Sequence, residues 1–487
     1  MKFVVVYDNL MKPNEIIQEV IGNKGFGDVV VKRKRLEEFY EENIHKVFAE
    51  VKWHTCNNLY DMKVLEENIQ NYQEKEEVRV LHCFSTHIIS DIDRARLTLE
   101  KLRFIHETVE IVADSKPVAV MFQDVMEYAE FLVNVIKKER VEQVLKECKY
   151  QKLEIEGMNY IGVISNFIQC ITGNFDSRYF NSLQGDEYFI RKSSSNKKKI
   201  KAEYNFYYLL PDKMKSWFVM PFDYVEKTDS SSYEMERLYM TDIAIKWVHG
   251  SIGLEEFEEL MNKYFYFFKM REMKSVSKEE YKKISDKLYV DKVKERIEQL
   301  KALPQYRKIE KLLSNCKEHN DIDLVFQWYL NIKERVESRA SFKEQSVIGH
   351  GDPCFANALY NRSTKTLKFI DPKGALTEEE LWTNPYYDIA KLSHSVCGRY
   401  DFFNNAMFEI TINEDFEYEL NIPFDNEEYK RVFREKVEAQ GYDYWVVRLY
   451  EASLFLSMLP LHIDYPHKVF GFLLNAINML KEIEENL

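Results

Sequence analysis

Residues 350–357 read His-Gly-Asp-Pro-Cys-Phe-Ala-Asn, and residues 367–371 read Leu-Lys-Phe-Ile-Asp. The first stretch places Asp352 and Asn357 five positions apart, and the second ends in another carboxylate, Asp371. Transfer of a phosphoryl group needs a carboxylate that orients the attacking hydroxyl, and oxygen ligands that hold Mg²⁺ on the phosphates of ATP. These two stretches contain both kinds of group.

The residues between the two stretches predict that they meet in the fold. Residues 360–366 are polar and turn-forming, and residues 367–370 are typical of a short strand. A hairpin of this kind returns Asp371 to the loop that contains Asp352 and Asn357. The offset between Asp352 and Asn357 is also that of the catalytic loop of protein kinases.

This block resembles the aminoglycoside phosphotransferase and choline kinase superfamily, whose loop has His-Gly-Asp, four residues and Asn, and whose metal-binding aspartate follows isoleucine. The resemblance covers about residues 158–487 and implies a bilobal, protein-kinase-like α+β domain that uses ATP and Mg²⁺. Residues 371–374, Asp-Pro-Lys-Gly, are similar to a bacterial subgroup associated with capsule and surface-polysaccharide genes, in which a nucleotidyltransferase-like domain comes first.

The resemblance implies a role for each polar residue of the block. Asp352 is the expected catalytic residue, which orients or accepts the proton of the substrate hydroxyl, and His350 is expected to brace the loop beside it. Asn357 and Asp371 are the expected Mg²⁺ ligands. Lys373 either neutralises the transferred phosphoryl group, binds an anionic substrate, or is a surface lysine in a turn.

Composition limits the size and the partners of the protein. A chain of 487 residues with 45% hydrophobic residues predicts two or three domains with substantial cores. Its net charge of −13 argues against a nucleic-acid partner. Seven dispersed cysteines without C-x-x-C spacing make a zinc site unexpected and fit a reducing compartment. Without an apolar run near ~18 residues, the sequence predicts a soluble, cytoplasmic protein without membrane insertion.

Residues 1–145 alternate apolar runs with amphipathic stretches, which predicts an α/β domain. The Gly-rich basic loop of nucleotidyltransferases is absent after the first strand, where residues 8–13 read Asp-Asn-Leu-Met-Lys-Pro. We therefore expect a degenerate, non-catalytic domain of unknown role rather than an active transferase. The predicted strands are 3–7, 29–31, 78–84, 109–113 and 118–122; the predicted helices are 14–21, 36–51, 91–104 and 125–136; residues 138–157 are the predicted connector.

Residues 158–240 predict the small β-rich lobe of the kinase-like domain. Predicted strands are 160–164, 167–172, 179–183, 187–192, 217–222 and 232–238, with a helix at 201–210. The cation that contacts the nucleotide phosphates is either Lys192 or Arg191, which lie on opposite faces of one strand. Glu203 is the expected partner of Lys192. The resemblance adds four nucleotide-binding residues, Gly173 and Ser177 in the covering loop and Glu236 and Leu238 at the hinge.

Residues 241–487 predict the large helical lobe. Predicted helices are 239–248, 254–270, 278–300, 309–316, 322–340, 427–438, 444–459 and 466–485, with a further helix beginning near 384. Asp388 either braces the catalytic loop, as in the family, or is a carboxylate in the first turn of a helix. The substrate pocket is expected between the catalytic loop and the last helices. Its candidate residues are Lys373, Tyr387 and Arg448, followed by Arg399, Tyr400, Asp401, Glu451, His462 and Asp464.

These features predict an ATP- and Mg²⁺-dependent phosphotransferase that phosphorylates a hydroxyl of a small metabolite. The expected acceptor is a sugar or a related building block of surface polysaccharide. One alternative is a choline or amino-alcohol kinase, since tyrosine and tryptophan are plentiful. The other is a catalytically silent scaffold with a kinase fold, against which Asp352, Asn357 and Asp371 argue. The oligomeric state is left open.

Overall fold

The computed structural model describes residues 2–31, 33–69, 78–138, 141–172, 181–185, 188–317 and 319–487. The chain divides into two compact units, residues 1–175 and residues 176–487. The sequence analysis placed this division earlier, between residues 145 and 158. The difference arises because residues 151–160 pair with strands of the first unit, as described next.

The first unit contains a mixed sheet with both faces covered. Its strands are β1 (Lys2–Asp8), β2 (Val30–Val31), β3 (Lys34–Arg35), β4 (Val51–Cys56), β5 (Val78–Phe84), β6 (His87–Ile89), β7 (Val109–Ala113), β8 (Lys116–Phe122), β9 (Gln151–Glu154) and β10 (Met158–Tyr160). Six of them form one sheet in the order β4-β1-β5-β8-β7-β9. Val4 and Val6 pack into one core and Phe3 and Val5 into another, so successive residues of β1 are buried on opposite faces.

Four predictions for this unit are wrong, and the first is the strand at 160–164, of which only Tyr160 belongs to a strand. The helices of the unit are α1 (Glu15–Ile21), α2 (Leu36–His45), α3 (Leu59–Ile69), α4 (Ile92–Lys101), α5 (Val125–Lys138), α6 (Val141–Glu147) and α7 (Ile164–Thr172). The strand predicted at 167–172 is part of α7, whose buried Phe167 and Ile171 have helical spacing. The helix predicted over 36–51 ends at His45, and β4 follows at the sheet edge. The predicted connector contains β9, which pairs with β7.

The second unit begins with a small antiparallel sheet. Its elements are β11 (Asn181–Gly185), β12 (Phe189–Ser194), α8 (Lys197–Leu209), α9 (Asp212–Lys215), β13 (Pro221–Glu226) and β14 (Ser231–Glu236), with the sheet order β11-β12-β14-β13. Helix α8 begins after Asn196, whose side chain accepts a hydrogen bond from the Lys199 backbone N–H at 3.1 Å, and it ends before Pro211. The strand predicted at 217–222 begins only at Pro221.

The rest of the second unit is mostly helical. Its helices are α10 (Ile243–Val248), α11 (Leu254–Met270), α12 (Lys278–Asp286), α13 (Lys292–Lys301), α14 (Tyr306–Leu313), α15 (Ile322–Arg339), α16 (Pro385–Val396), α17 (Tyr400–Asn404), α18 (Glu427–Ala439), α19 (Tyr444–Met458) and α20 (Pro466–Glu485). A π-helical turn, Lys287–Asp291, joins α12 to α13. The helix predicted at 278–300 therefore contains a local widening of the turn that the sequence did not indicate.

Short strands lie among these helices, and several of them flank or include residues 350–371. They are β15 (Thr241–Asp242), β16 (Met273–Ser275), β17 (Gln345–Ile348), β18 (Ala358–Asn361), β19 (Thr366–Phe369), β20 (Trp382–Thr383), β21 (Glu409–Ile412) and β22 (Tyr418–Asn421). Strand β17 lies between β16 and β20, and β18 lies between β15 and β19. Helix α19 is buried over almost its whole circumference. The loop after β17 contacts α16, where the Phe355 backbone N–H donates to the Ser395 hydroxyl at 3.0 Å.

Within the part of the chain that the structure describes, no helix is both long enough and apolar enough to cross a membrane.

Candidate active site

The predicted hairpin brings the two halves of the catalytic block together. Strands β18 and β19 pair in antiparallel register, with Ala358 opposite Phe369. The backbone N–H of Ile370 then donates to the carbonyl oxygen of Asn357 at 3.0 Å. Asp371 follows with a backbone φ of 54°, in the left-handed region that aspartate tolerates better than most residues. Asn357 and Asp371 are therefore neighbours, as the sequence predicted.

Asp388 braces the loop that contains the proposed catalytic aspartate. Its carboxylate is fully buried and accepts hydrogen bonds from the backbone N–H groups of His350 at 2.9 Å and Gly351 at 2.8 Å. The guanidinium of Arg271 lies 2.9 Å from the same carboxylate and is equally buried. Asp388 also lies in the first turn of α16, so the structure contains both features that the sequence left as alternatives.

His350 also holds the loop in place. Its Nδ1 accepts a hydrogen bond from the Asp352 backbone N–H, and its Nε2 donates to the Ile370 carbonyl oxygen, both at 3.0 Å. The ring stacks on Phe218 with 5.6 Å between centroids. Burial lowers the pKa of His350, so the ring is neutral at neutral pH and its single N–H joins the loop to the end of the hairpin.

The Asp352 carboxylate lies beside a lysine that the sequence analysis did not select. Lys391 Nζ, on α16, is 3.0 Å from Asp352 Oδ1, and the Lys391 side chain is 13% exposed against 40% for Asp352. Burial lowers the pKa of Lys391, but Asp352 and the phenol of Tyr387 raise it more, and the net shift is upward. Lys391 is therefore charged and favours the ionised form of Asp352.

Asn357 and Asp371 fit a magnesium site that is completed by nucleotide phosphates. Asn357 uses its amide nitrogen to donate to the Asp352 carbonyl oxygen at 2.9 Å, which leaves its amide oxygen for a ligand role. The Asp371 side chain is 41% exposed. Among the described residues, no group of three His, Cys, Asp or Glu side chains is arranged to hold a metal by itself. Mg²⁺ commonly takes one or two protein oxygens together with substrate phosphates and water.

A buried lysine joins the small sheet to this pair. Lys192 Nζ is 2.7 Å from Glu203 Oε2 and 2.8 Å from Asp371 Oδ1. The Tyr233 hydroxyl donates to the same Glu203 oxygen at 3.3 Å. Burial lowers the pKa of Lys192, but Asp371 and Glu203 raise it more, so the net shift is upward and the side chain is charged. The structure therefore contains the predicted pairing of Lys192 with Glu203.

Arg191 has a different environment from Lys192. Its side chain is 57% exposed, and its Nε lies 2.9 Å from Glu234 on the neighbouring strand β14. Because side chains alternate along a strand, Arg191 lies on the sheet face opposite to Lys192. The cation that faces Asp371 is Lys192.

Two glycines, Gly351 and Gly374, allow the segment after Asp371 to pack closely against the loop of His350 and against α8. Gly351 has a φ of 84°, and a Cβ atom there would lie 2.5 Å from the Cβ of Lys373. Gly374 has a φ of 87°, and a Cβ atom there would lie 2.8 Å from the backbone of Ala202 on α8. Beside it, the Ala375 N–H donates to the Ala202 carbonyl oxygen at 2.9 Å. The segment after Asp371 is thereby attached to the helix that contains Glu203.

The remaining nucleotide-binding candidates are only partly within the described chain. Gly173 and Ser177 lie outside the described residues. Glu236 is exposed at the end of β14, and Leu238 is half-buried in the short segment that leads from the small sheet to β15. This segment has the position expected of a hinge, and the backbone N–H of Arg237 donates to Tyr188 at 2.8 Å.

The three substrate candidates have different environments. Lys373 is exposed, and its backbone N–H donates to the His350 carbonyl oxygen at 2.9 Å. Tyr387 is 4% exposed and its hydroxyl accepts a hydrogen bond from Lys292 Nζ at 3.0 Å. Lys292 and Lys391 were both missed by sequence reasoning. The spacing of Tyr387 and Lys391, four apart on one helix face, was an available signal.

Arg448 does not fit the predicted substrate role. It is 2% exposed and forms ion pairs with Glu451 and, at 2.7 Å, with Glu482. Glu451 in turn accepts a hydrogen bond from Ser393 on α16. The guanidinium and its two carboxylate partners join α19 to α20 and, through Glu451, to α16.

Comparison with known proteins adds little. No family model matches the chain, and no curated protein matches it. Among solved structures, a thermostable mutant of aminoglycoside phosphotransferase APH(4)-Ia, apo form, is 9% identical with a TM-score of 0.33, over 66% of this chain and 99% of that one. A ternary complex of that phosphotransferase with ADP and hygromycin B is 8% identical with a TM-score of 0.35, over 66% and 98% of the two chains. Likeness at this level carries no argument about function, which rests on the geometry above.

Removal of the Asp371 carboxylate is expected to abolish metal-dependent nucleotide binding. A ligand at one hundred times its dissociation constant stabilises a protein by about 2.7 kcal/mol. We expect ATP to raise the thermal midpoint of the wild type only with Mg²⁺, and Asp371→Ala to lose this metal-dependent shift. Differential scanning fluorimetry with and without Mg²⁺ measures it. Glu438→Ala, which removes an exposed partner of Arg434, is the control; a metal-dependent shift retained in Asp371→Ala excludes that residue as a ligand.

Asp401 is expected to make stability depend on pH. It is 1% exposed, and burial raises its pKa to about 7. The folded chain then holds a proton on Asp401 that the unfolded chain releases above about pH 4, so this contribution to stability is lost as the pH rises towards 7. Asp401→Asn should be more stable than the wild type by on the order of 2 kcal/mol at pH 8 and no more stable near pH 4. Urea unfolding at both pH values measures this, and a constant difference would contradict it.

Proposed function

We propose that the protein is an ATP- and Mg²⁺-dependent phosphotransferase that transfers the γ-phosphoryl group to a hydroxyl of a small metabolite. The observation that carries the proposal is the position of Lys192, within 2.8 Å of both Glu203 and Asp371. A cation held by a helix carboxylate beside a metal-binding aspartate is the arrangement that phosphoryl transfer requires. The braced loop places Asp352 in the same part of the second unit.

In this proposal Lys192 contacts the nucleotide phosphates and Glu203 fixes its direction. Glu203 is suited to this because it is buried and is itself held by Tyr233. Asn357 and Asp371 would hold Mg²⁺, which would neutralise charge on the nucleotide phosphates. Asp371 lies 2.8 Å from Lys192, so both residues face the place proposed for the phosphates.

Asp352 orients the acceptor hydroxyl and takes its proton as the oxygen attacks. The bond from the hydroxyl oxygen to the γ-phosphorus forms, the bond to the β,γ-bridging oxygen breaks, and ADP leaves. Asp352 is suited to this because its carboxylate is partly exposed, whereas its backbone is held by His350 and Asn357. Little covalent chemistry is required of the protein, so positioning by the loop is the main contribution.

We propose a sugar or a related building block of surface polysaccharide as the acceptor. The support for this acceptor is the resemblance of residues 371–374 to the capsule-associated subgroup. A screen of sugars, polyols and amino alcohols for ADP release in the presence of Mg²⁺ tests it. Release with a sugar supports the proposal, and release confined to amino alcohols would assign the protein to the choline kinase type. Mg²⁺-dependent ATP binding without release from any acceptor would favour the scaffold.

A further inference from the structure

Two lysines meet a buried tyrosine beside the proposed catalytic aspartate. Lys292, the first residue of α13, donates from Nζ to the Tyr387 hydroxyl at 3.0 Å, and its ammonium lies 5.5 Å from the centroid of the same ring. Lys391, one turn after Tyr387 on α16, lies 3.0 Å from Asp352. Lys292, Tyr387, Lys391 and Asp352 therefore form one continuous polar group, which we call the lysine–tyrosine group.

Lys292 directly follows a π-helical turn that joins α12 to α13. The π-helical turn Lys287–Asp291 ends at the residue before Lys292. Within this turn Tyr289 stacks on Tyr450 at 3.6 Å, and its hydroxyl donates to the Asn384 side chain at 3.3 Å. π-turns are rare and occur frequently at functional sites. The widened turn is held by α19 and by the cap of α16, the helix that contains Tyr387 and Lys391.

The pKa of Tyr387 indicates that the charges of Lys292 and Lys391 both act on its phenol. It is 4% exposed, and burial by itself raises the pKa of a phenol. Lys292 and Lys391 nevertheless lower the pKa of Tyr387 below its usual value, against the effects of burial and of Asp352. The potential at this point is positive, although the whole chain has a net charge of −13.

The neighbouring carboxylates offset only part of this positive charge, because Asp352 pairs with Lys391 but none pairs with Lys292 among the described residues. Asp371 is paired with Lys192, Asp388 with Arg271, and Asp352 with Lys391. Among the described residues, Lys292 has the Tyr387 hydroxyl as its partner and no ion pair with a carboxylate. Its ammonium can therefore bind an added anion without the loss of an existing ion pair.

We propose that the phosphate acceptor is a hydroxylated metabolite that carries its own anionic group, a phosphate or a carboxylate, and that Lys292 binds this group. The inference rests on the phosphotransferase function proposed above. With the acceptor hydroxyl at Asp352, the anionic group lies towards Lys292, and Tyr387 holds the lysine in place. Lys391 is the ion-pair partner of Asp352. Cationic acceptors such as amino sugars and choline are disfavoured, because they would approach two ammonium groups.

The first test compares acceptors that differ only in charge. A hexose, the corresponding hexose monophosphate, the hexuronic acid and the amino sugar are each offered to the full-length protein with Mg²⁺ and ATP, and ADP release is followed. We expect kcat/KM for an anionic member to exceed that of its neutral parent at least about tenfold. Comparison of the hexose monophosphate with the hexuronic acid shows whether the site prefers a phosphate or a carboxylate. Equal or better use of neutral or cationic members would overturn the inference and leave the phosphotransferase function intact.

The second test removes the charge of Lys292 and keeps its length. Lys292→Met is expected to raise KM for the anionic acceptor about tenfold, with kcat and KM for ATP changed by less than about twofold. Lys294→Met is the matched control, because Lys294 lies on the same helix and is exposed. No change in the acceptor KM of Lys292→Met, or an equal change in both variants, would overturn the assignment of Lys292.

A binding measurement decides the case in which no member of the panel is an acceptor. Inorganic phosphate is titrated by calorimetry into the protein saturated with Mg²⁺ and AMP-PNP. Binding that is at least about tenfold weaker in Lys292→Met than in Lys294→Met supports the anion site. Absence of binding, or equal binding in the two variants, overturns it. Failure of the phosphotransferase function is distinct, because it shows in the wild type as absence of Mg²⁺-dependent ATP binding or as ATP binding without transfer of label to any small molecule.

Discussion

Replacement of Asp352 by asparagine is expected to lower kcat by on the order of a thousandfold, because the side chain keeps its size but no longer takes a proton. Binding of ATP with Mg²⁺ should change less than about threefold, since the proposed ligands are Asn357 and Asp371. Lys391 loses its carboxylate partner but keeps the neighbouring Tyr387. Steady-state ADP release and calorimetric titration of Mg²⁺–ATP measure the two quantities.

The contrast with Asp371→Ala makes the assignment specific. Asp352→Asn should lose turnover and keep nucleotide binding, whereas Asp371→Ala should lose the metal-dependent part of binding. If Asp352→Asn loses nucleotide affinity and turnover to the same extent, Asp352 acts on the metal or the phosphates and the proposed roles are reversed.

Replacement of Asp388 by alanine is expected to destabilise the protein by about 3–5 kcal/mol, the usual cost when one partner of a buried ion pair is removed. Arg271 would remain fully buried without its carboxylate. The N–H groups of His350 and Gly351 would also lose their acceptor, and unpaired buried donors are costly. Urea-induced unfolding measures the loss, and kcat should fall in the same variant because the loop is released.

An exposed ion pair provides the control for this variant. Glu438 lies 2.8 Å from Arg434, and both side chains are about half exposed. Glu438→Ala should cost only about 0.2–1 kcal/mol, as is usual for surface pairs. If Asp388→Ala lowers the free energy of unfolding no more than Glu438→Ala does, Asp388 does not brace the loop. The account of the site would then lose its structural basis.

The geometry of residues 350–371 was predictable because it depends on residues that are close in sequence. The offset of Asp352 and Asn357 and the short hairpin that ends at Asp371 depend on about twenty neighbouring residues, and the hairpin register follows from the alternation of β18 and β19. The Lys192–Glu203 pair was also predictable, from one strand and the helix that follows it. In each case the residues that meet are close in sequence or are joined by a recognised motif.

Lys292 and Lys391 could not be predicted in the same way. The spacing of Tyr387 and Lys391 indicates only that these two side chains share a helix face. The approach of Lys292 to Tyr387 and of Lys391 to Asp352 depends on how α13 and α16 pack and on a π-turn, which residue spacing does not encode. Arg448 was selected as a polar residue near the expected pocket, but its guanidinium is engaged by carboxylates on α19 and α20. Long-range packing thus decides which charged side chains face the site.

The errors in the first unit have a different origin. Residues 160–172 contain short apolar runs, and periodicity alone does not separate a buried strand from a buried helix of this length. The helix α7 and the strand β10, which pairs with β6, belong to the first unit. The start of the second unit was therefore placed too early.

The most direct test of the central claim is the transfer of label from γ-³²P-ATP to small molecules. The full-length protein is incubated with Mg²⁺ and a mixture of sugars, sugar phosphates, sugar acids and amino alcohols, and the products are separated by chromatography. The account predicts a labelled small molecule with the wild type, and none above background with Asp352→Asn. Label that stays in ATP with both proteins, while the wild type binds Mg²⁺–ATP, would contradict a phosphotransferase and favour a silent scaffold.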